Sequence, residues 1–185
     1  MKTFFYEFPK IKHIDQMLEA IDGRLEFFVK HDEAHNYKVI NYHVALEDTF
    51  PEVTSEREAL LREARGITFD ATSGKVINRK FNKFFNAGEK PETRELNLSY
   101  NHILLEKLDG SMITFLRNPV TGKIQACTKM GFTEIAKQVD EFIRAHPHYE
   151  VFINHMMESD VTCIFEWCSR QQRIVIDYPV DAYVS

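Results

Sequence analysis

Residues 103–129 read ILLEKLDGSMITFLRNPVTGKIQACTK, and this stretch decides the fold class. Three runs rich in apolar residues, Ile103 to Lys107, Ser111 to Arg117 and Lys123 to Lys129, are separated by the turn-formers Asp109-Gly110 and Pro119-Val120-Thr121-Gly122. Connections this short join antiparallel strands, because a parallel pair needs a crossover of about a dozen residues or more. The spacing therefore predicts a meander. Within it, Asp109-Gly110 is the expected source of positive φ angles at a hairpin turn. Lys107 would end a buried strand just before that turn, at the edge of a sheet where a ligand can reach it.

The flanking segments read the same way. Ile11, Ile14, Met17, Leu18 and Ile21 recur at helical spacing, and Asp22-Gly23 ends the run. Arg24 to Lys30 and Tyr37 to Ala45 flank a polar loop and predict a hairpin. Ser55-Glu56-Arg57-Glu58 fits a capping box that opens a short helix through Ala64. Ile67 to Asp70 and Lys75 to Phe81 predict a second hairpin across Ala71 to Gly74. Downstream, Thr133 can cap a helix with the stripe Ile135, Val139, Phe142 and Ile143, ending near His146-Pro147, and a second short helix covers Tyr149 to Met157. Val161 to Trp167, Arg173 to Tyr178 and Ala182 to Ser185 predict further strands. Mixed order with hairpin-length connections favours an α+β fold, mostly antiparallel sheets with flanking helices, over a doubly wound parallel sheet.

Composition narrows the function classes. The 185 residues carry 23 Lys plus Arg against 28 Asp plus Glu, a formal charge of −5, so any site for a polyanion must be a local basic cluster rather than a general coat. Fifteen Phe and seven Tyr supply a core without a metal or disulfide staple. The cysteines, Cys127, Cys163 and Cys168, are odd in number and lack the two-residue spacing of zinc or redox pairs, which predicts reduced thiols in a cytoplasmic protein. No stretch of about 18 apolar residues predicts a membrane span. His146-Pro147-His148 reads as a helix end rather than a metal site.

Lys107-Leu108-Asp109-Gly110-Ser111 is the sharpest local pattern, and it does not stand alone. Arg65-Gly66-Ile67 and Lys83-Phe84-Phe85-Asn86 precede it, and Thr128-Lys129 and Phe165-Glu166-Trp167 follow. Glu166 is an acidic residue between two large aromatics, costly to bury unless paired, and strand alternation turns it away from Phe165 and Trp167 toward a pocket. Of Phe81, Phe84 and Phe85, at least two are expected in the core. Asp109 is expected as a turn-former or as a hydrogen-bonder to backbone.

From about Tyr37 to Tyr178 this order of motifs resembles the bacteriophage-type RNA ligases of tRNA repair, the RNA ligase 1 family, within the covalent nucleotidyltransferases that include DNA ligases and mRNA capping enzymes. The resemblance implies an ATP-grasp-like nucleotidyltransferase domain that uses ATP with Mg2+ or Mn2+. Lys107 would attack the α-phosphorus of ATP and carry AMP as a lysyl-AMP. The AMP would pass to an RNA 5′-phosphate, which a 3′-hydroxyl then seals, with cleaved tRNA among the substrates and a host bacterial cytoplasm as the setting. Arg65 would contact the ribose or an RNA phosphate, Glu166 the ribose hydroxyl, and Lys83 and Lys129 the nucleotide phosphates. Phe85 and Tyr42 match aromatics near the pocket, and Asp109 and Gly110 complete the nucleophile motif.

A free lysine has a pKa near 10.4, so only about one in a few thousand is neutral at pH 7, a gap of roughly 4 to 5 kcal/mol. Positive charge from Arg65, Lys83, Lys129 and a bound cation would narrow that gap and steady the phosphates. The family's acidic metal-binding motif, its Lys-x-Lys motif and a helical C-terminal domain would all fall beyond Ser185. The resemblance therefore implies that residues 1–185 are the N-terminal portion of an adenylyltransferase domain, C-terminally truncated and impaired in catalysis. The alternatives are a non-catalytic nucleotide- or RNA-binding fragment, or an adenylyltransferase that acts on DNA ends.

Overall fold

The computed structural model describes residues 8–170, 175–176 and the backbone of Ala182–Val184. Its architecture is α+β, with two four-stranded antiparallel sheets and helices packed on them.

The first sheet comprises β1 (Phe27–Asp32), β2 (Tyr37–Tyr42), β3 (Ile67–Asp70) and β4 (Val76–Asn78), in spatial order β1-β2-β3-β4. The β1–β2 hairpin pairs Phe27 with Tyr42 through Asp32 with Tyr37, and Asn36 supplies the positive φ its turn needs. Helices α1 (Ile14–Ile21) and α2 (Glu56–Glu63) cover this sheet. Their apolar faces meet it in a core built on Met17, Ile40, Phe50, Leu61, Ile67 and Phe69. The Ser55 N–H donates to the Glu58 carboxylate at 2.6 Å, which satisfies one of the orphan donors at the start of α2.

The second sheet comprises β5 (Ser111–Arg117), β6 (Ile124–Cys127), β7 (Ile164–Cys168) and β8 (Ala182–Val184), in order β6-β5-β7-β8. Between the sheets in sequence lies the single turn α3 (Pro91–Arg94), and α4 (Glu134–Ala145) and α5 (Pro147–Glu158) cover the second sheet. Asn118 Oδ1 accepts from the N–H groups of Val120 and Thr121, which folds the β5–β6 turn. Ile113, Phe115, Val139, Ile143, Phe165 and Trp167 build the second core. A smaller cluster of Tyr37, Val39, Leu116 and Cys127 joins the two halves.

Two expectations are corrected. Ile103 to Lys107 is not a strand and is not buried: Ile103, Leu104 and Leu105 are 83%, 83% and 85% exposed. β7 pairs with β5 over Ser111–Thr114 and β6 over Thr114–Arg117, whereas the preceding segment pairs with no strand among the described residues. Gly110 accordingly has no positive φ among the described glycines. The strand expected over Arg173 to Tyr178 lies mostly outside the described residues. Within the described residues, no helix is long and apolar enough to cross a membrane.

Candidate functional site

Lys107 enters the site on the exposed lead into β5, and the two residues that follow the adjoining Leu108 anchor it. Asp109 Oδ2 accepts from the N–H groups of Val175 and Ile176 at 2.6 and 2.7 Å. Those bonds, with Lys107 nearby, hold the Asp109 carboxyl below the usual carboxylate range. Asp109 is thus a backbone hydrogen-bonder that holds a distant loop, not the corner of a hairpin. Gly110 is required by close approach: a Cβ there would stand 2.4 Å from the carbonyl oxygen of Trp167. Its N–H donates to Glu166 Oε1 at 3.1 Å.

Glu166 lies on β7 between buried Phe165 and Trp167 and opposite Met112, half-buried on the other face. Burial raises its pKa against the opposing pull of the Gly110 N–H, Lys107 and Arg65. Its carboxylate oxygens can accept from a hydroxyl.

Arg65 and Gly66 link α2 to β3. Gly66 has φ +89°, and a Cβ there would lie 2.6 Å from the Lys129 carbonyl oxygen, so glycine alone lets these two backbones touch. Asn41 Nδ2 donates to that same carbonyl at 3.2 Å. The Lys129 ammonium lies 5.9 Å from the Tyr42 ring centroid. The Arg65 guanidinium stacks on Phe84 at 4.7 Å, and its Nη1 is buried without an acceptor among the described residues.

Beneath Arg65-Gly66 lies a group that sequence reasoning passed over. The Lys80 ammonium is buried and donates to Gly66 O at 2.5 Å, Asn78 Oδ1 at 2.8 Å and Thr68 Oγ1 at 3.2 Å. Three donors meet three acceptors, the condition for keeping an ammonium out of water, although burial still lowers its pKa. Asn78 in turn donates to Phe115 O at 2.7 Å and accepts from Thr114 Oγ1 at 3.0 Å, tying the first sheet to the second. The signal available was a lysine after an apolar strand, and nothing in the sequence names its three acceptors.

These walls enclose a cleft of about 870 Å³, within the range of small-molecule sites. Lys107, Gly110, Glu166, Arg65 and Lys129 line it together. Lys83, Phe85 and Tyr42 do not line it. Tyr42 and Phe85 pack behind it against the first core, edge-on to Phe50 at 5.0 and 6.3 Å. Lys83 sits over Phe85 at 4.5 Å and donates to Phe84 O. Burial lowers its pKa, Glu89 works against that, and Arg65, Lys90 and Arg62 add to the lowering. The expectation that two of the three phenylalanines are core is corrected as well. Phe81 and Phe84 are 52% and 55% exposed and line the cleft, and only Phe85 packs inward. Among the described residues no three His, Cys, Asp or Glu side chains converge as a metal site.

Fold and cleft together define an α+β protein with a small-molecule-sized cleft lined by Arg65, Lys107 and Lys129 and by Glu106 and Glu166. The sequence profile of an RNA ligase family matches residues 63–184, and the chain belongs to that phage-type RNA ligase family. It is 34% identical over 176 residues to a Thermovibrio ammonificans protein named "Putative RNA ligase", covering 92% of this chain and 43% of that protein. It is 24% identical over 170 residues to a "Putative bifunctional polynucleotide kinase/RNA ligase" of Autographa californica nuclear polyhedrosis virus, covering 81% of this chain and 23% of that one. The chain spans less than half the length of these curated relatives.

Proposed function

We propose that the chain is part of the nucleotidyltransferase domain of an ATP-dependent RNA ligase, with Lys107 as its nucleophile. The convergence of Lys107, Glu166, Arg65 and Lys129 on one cleft, from four separate segments, carries this reading. In the first step the Lys107 Nζ lone pair forms a bond to the α-phosphorus of ATP. The bond between that phosphorus and the β-bridging oxygen breaks, pyrophosphate leaves with the electron pair, and Nζ loses a proton to solvent. Lys129 faces the charge that develops on the phosphates. Glu166, oriented by the Gly110 N–H, holds a ribose hydroxyl. A 5′-phosphate oxygen of RNA then takes the AMP from Lys107, and a 3′-hydroxyl displaces AMP to seal the strand.

No carboxylate cluster among the described residues fits a protein-held cation, since Asp109 and Glu166 are both committed to backbone N–H groups. Mg2+ or Mn2+ would accompany the nucleotide phosphates, as Mg2+ commonly does.

Intact-protein mass after incubation with ATP and magnesium tests the assignment. An AMP-sized gain in the native chain, absent in Lys107→Ala, is the expected result. ATP bound by calorimetry without any gain would reduce the chain to a nucleotide-binding piece. Equal labelling by ATP and GTP in competition would overturn the nucleotide assignment.

A further inference from the structure

Phe81 and Phe84 have no part in the chemistry above, yet they form part of the cleft wall. Their rings meet edge to face, 6.4 Å apart at 83°, and each is about half exposed on the cleft wall. Phe84 carries the Arg65 guanidinium on one side, and Arg65 itself lines the cleft. A guanidinium beside an aromatic ring is the chemistry that takes a phosphate and its neighbouring base together. Lys107 and Lys129 line the same cleft in a protein whose formal charge is −5, so the positive charge here is local.

We propose that Phe81 and Phe84 form a stacking step for a nucleobase of the RNA strand being joined, with Arg65 holding the phosphate next to it. Stacking on a ring face is tolerant of sequence because every base has a π-face. Single-stranded ends, with bases free to splay out, are the form of RNA that such a step engages. Adenine of ATP is the competing occupant. The wall formed by Lys107, Gly110 and Glu166 already supplies the reactive and ribose contacts proposed for ATP, and the two rings come from a different segment, the chain that follows β4.

The inference rests on reading the chain as an RNA-joining enzyme, but its test uses no chemistry. Binding of a labelled, 5′-phosphorylated single-stranded RNA of about a dozen nucleotides is measured without ATP, against an abasic strand of equal length, for the native chain, Phe84→Leu, Phe81→Leu and the double variant. Leucine keeps an apolar contact and removes the stacking face, and both positions are exposed enough that a urea midpoint can verify folding. Each ring lost should weaken RNA binding about tenfold, leaving the abasic strand bound equally by all four proteins. A loss of ATP affinity with RNA binding intact would assign the rings to adenine and overturn the proposal. Unchanged RNA binding, an equal loss on the abasic strand, or no RNA binding by the native chain would overturn it too. Absence of the Lys107 adduct alongside the expected RNA pattern would overturn only the reading of the chemistry.

Discussion

Ile103-Leu104-Leu105 and Ile113-Thr114-Phe115-Leu116 flank the Lys107–Gly110 motif and are equally apolar, but their fates are opposite. The first is 83–85% exposed, whereas Ile113, Phe115 and Leu116 are 0%, 3% and 0% exposed. Hydropathy does not separate them. Backbone pairing does: β5 pairs with β7 over Ser111–Thr114 and with β6 over Thr114–Arg117, so every residue of it has a partner strand and its side chains can be buried. The segment before it has no strand beside it among the described residues. An apolar run becomes a buried strand only where a partner edge is available. The site exploits the contrast, since Lys107 ends an exposed run and reaches the cleft, and Glu166 is held by the paired side.

Breaking the buried side should cost most. Ile113→Ala removes a fully buried side chain and should destabilise the chain by about 2–5 kcal/mol in urea unfolding; a loss under about 1 kcal/mol would contradict the packing described. Next comes the junction. Gly110→Ala places a methyl 2.4 Å from the Trp167 carbonyl, and the backbone shift needed to relieve it should cost about 1–3 kcal/mol. The same variant should slow labelling of Lys107 with AMP, because the backbone shift moves the residue-110 N–H that Glu166 accepts from.

A pH-dependent effect sharpens the comparison at the far edge of β6. Asp140 Oδ1 accepts from the Ala126 N–H at 2.8 Å, covering that edge with α4, and burial pushes the Asp140 pKa up to about 6. Its folded value lies above the ordinary one near 3.9, so the folded state binds the proton more tightly. Stability from this group is therefore full below about pH 4 and declines as pH rises toward about 6. Asp140→Asn keeps an acceptor for Ala126 and should flatten that decline in thermal melts across this range. An unchanged slope would remove Asp140 as its source. The smallest effect belongs to the exposed run: Leu104→Ala should shift the urea midpoint by no more than about 0.5 kcal/mol equivalent. A shift comparable to that of Ile113→Ala would mean that the run is buried after all.

The two hairpins of the first sheet, the α4 stripe and the β5–β6 turn were legible, because each is written in local periodicity and turn residues. Glu166 was legible too, since alternation alone turned it away from Phe165 and Trp167. Phe84 and Phe85 show where that legibility stops. They are adjacent and chemically identical, and one lines the cleft while the other packs beside Phe50. The irregular chain after β4 has no period from which to assign their sides. Lys80 and Lys83 differ for the same reason: three acceptors from two strands and a loop bury the first, and aromatic rings flank the second.

The amino-acid sequence by itself determined the α+β class, the antiparallel hairpins and the order of motifs that places the chain among the RNA ligases, because periodicity, turn chemistry and motif order are properties of neighbours along the chain. Only the tertiary structure decided that Asp109 holds residues 175–176, that Gly110 is needed for contact rather than for a turn, and which phenylalanines face the cleft. Those outcomes depend on backbone groups 56 to 67 residues away, or on a partner strand, and no local pattern encodes a distance of that kind.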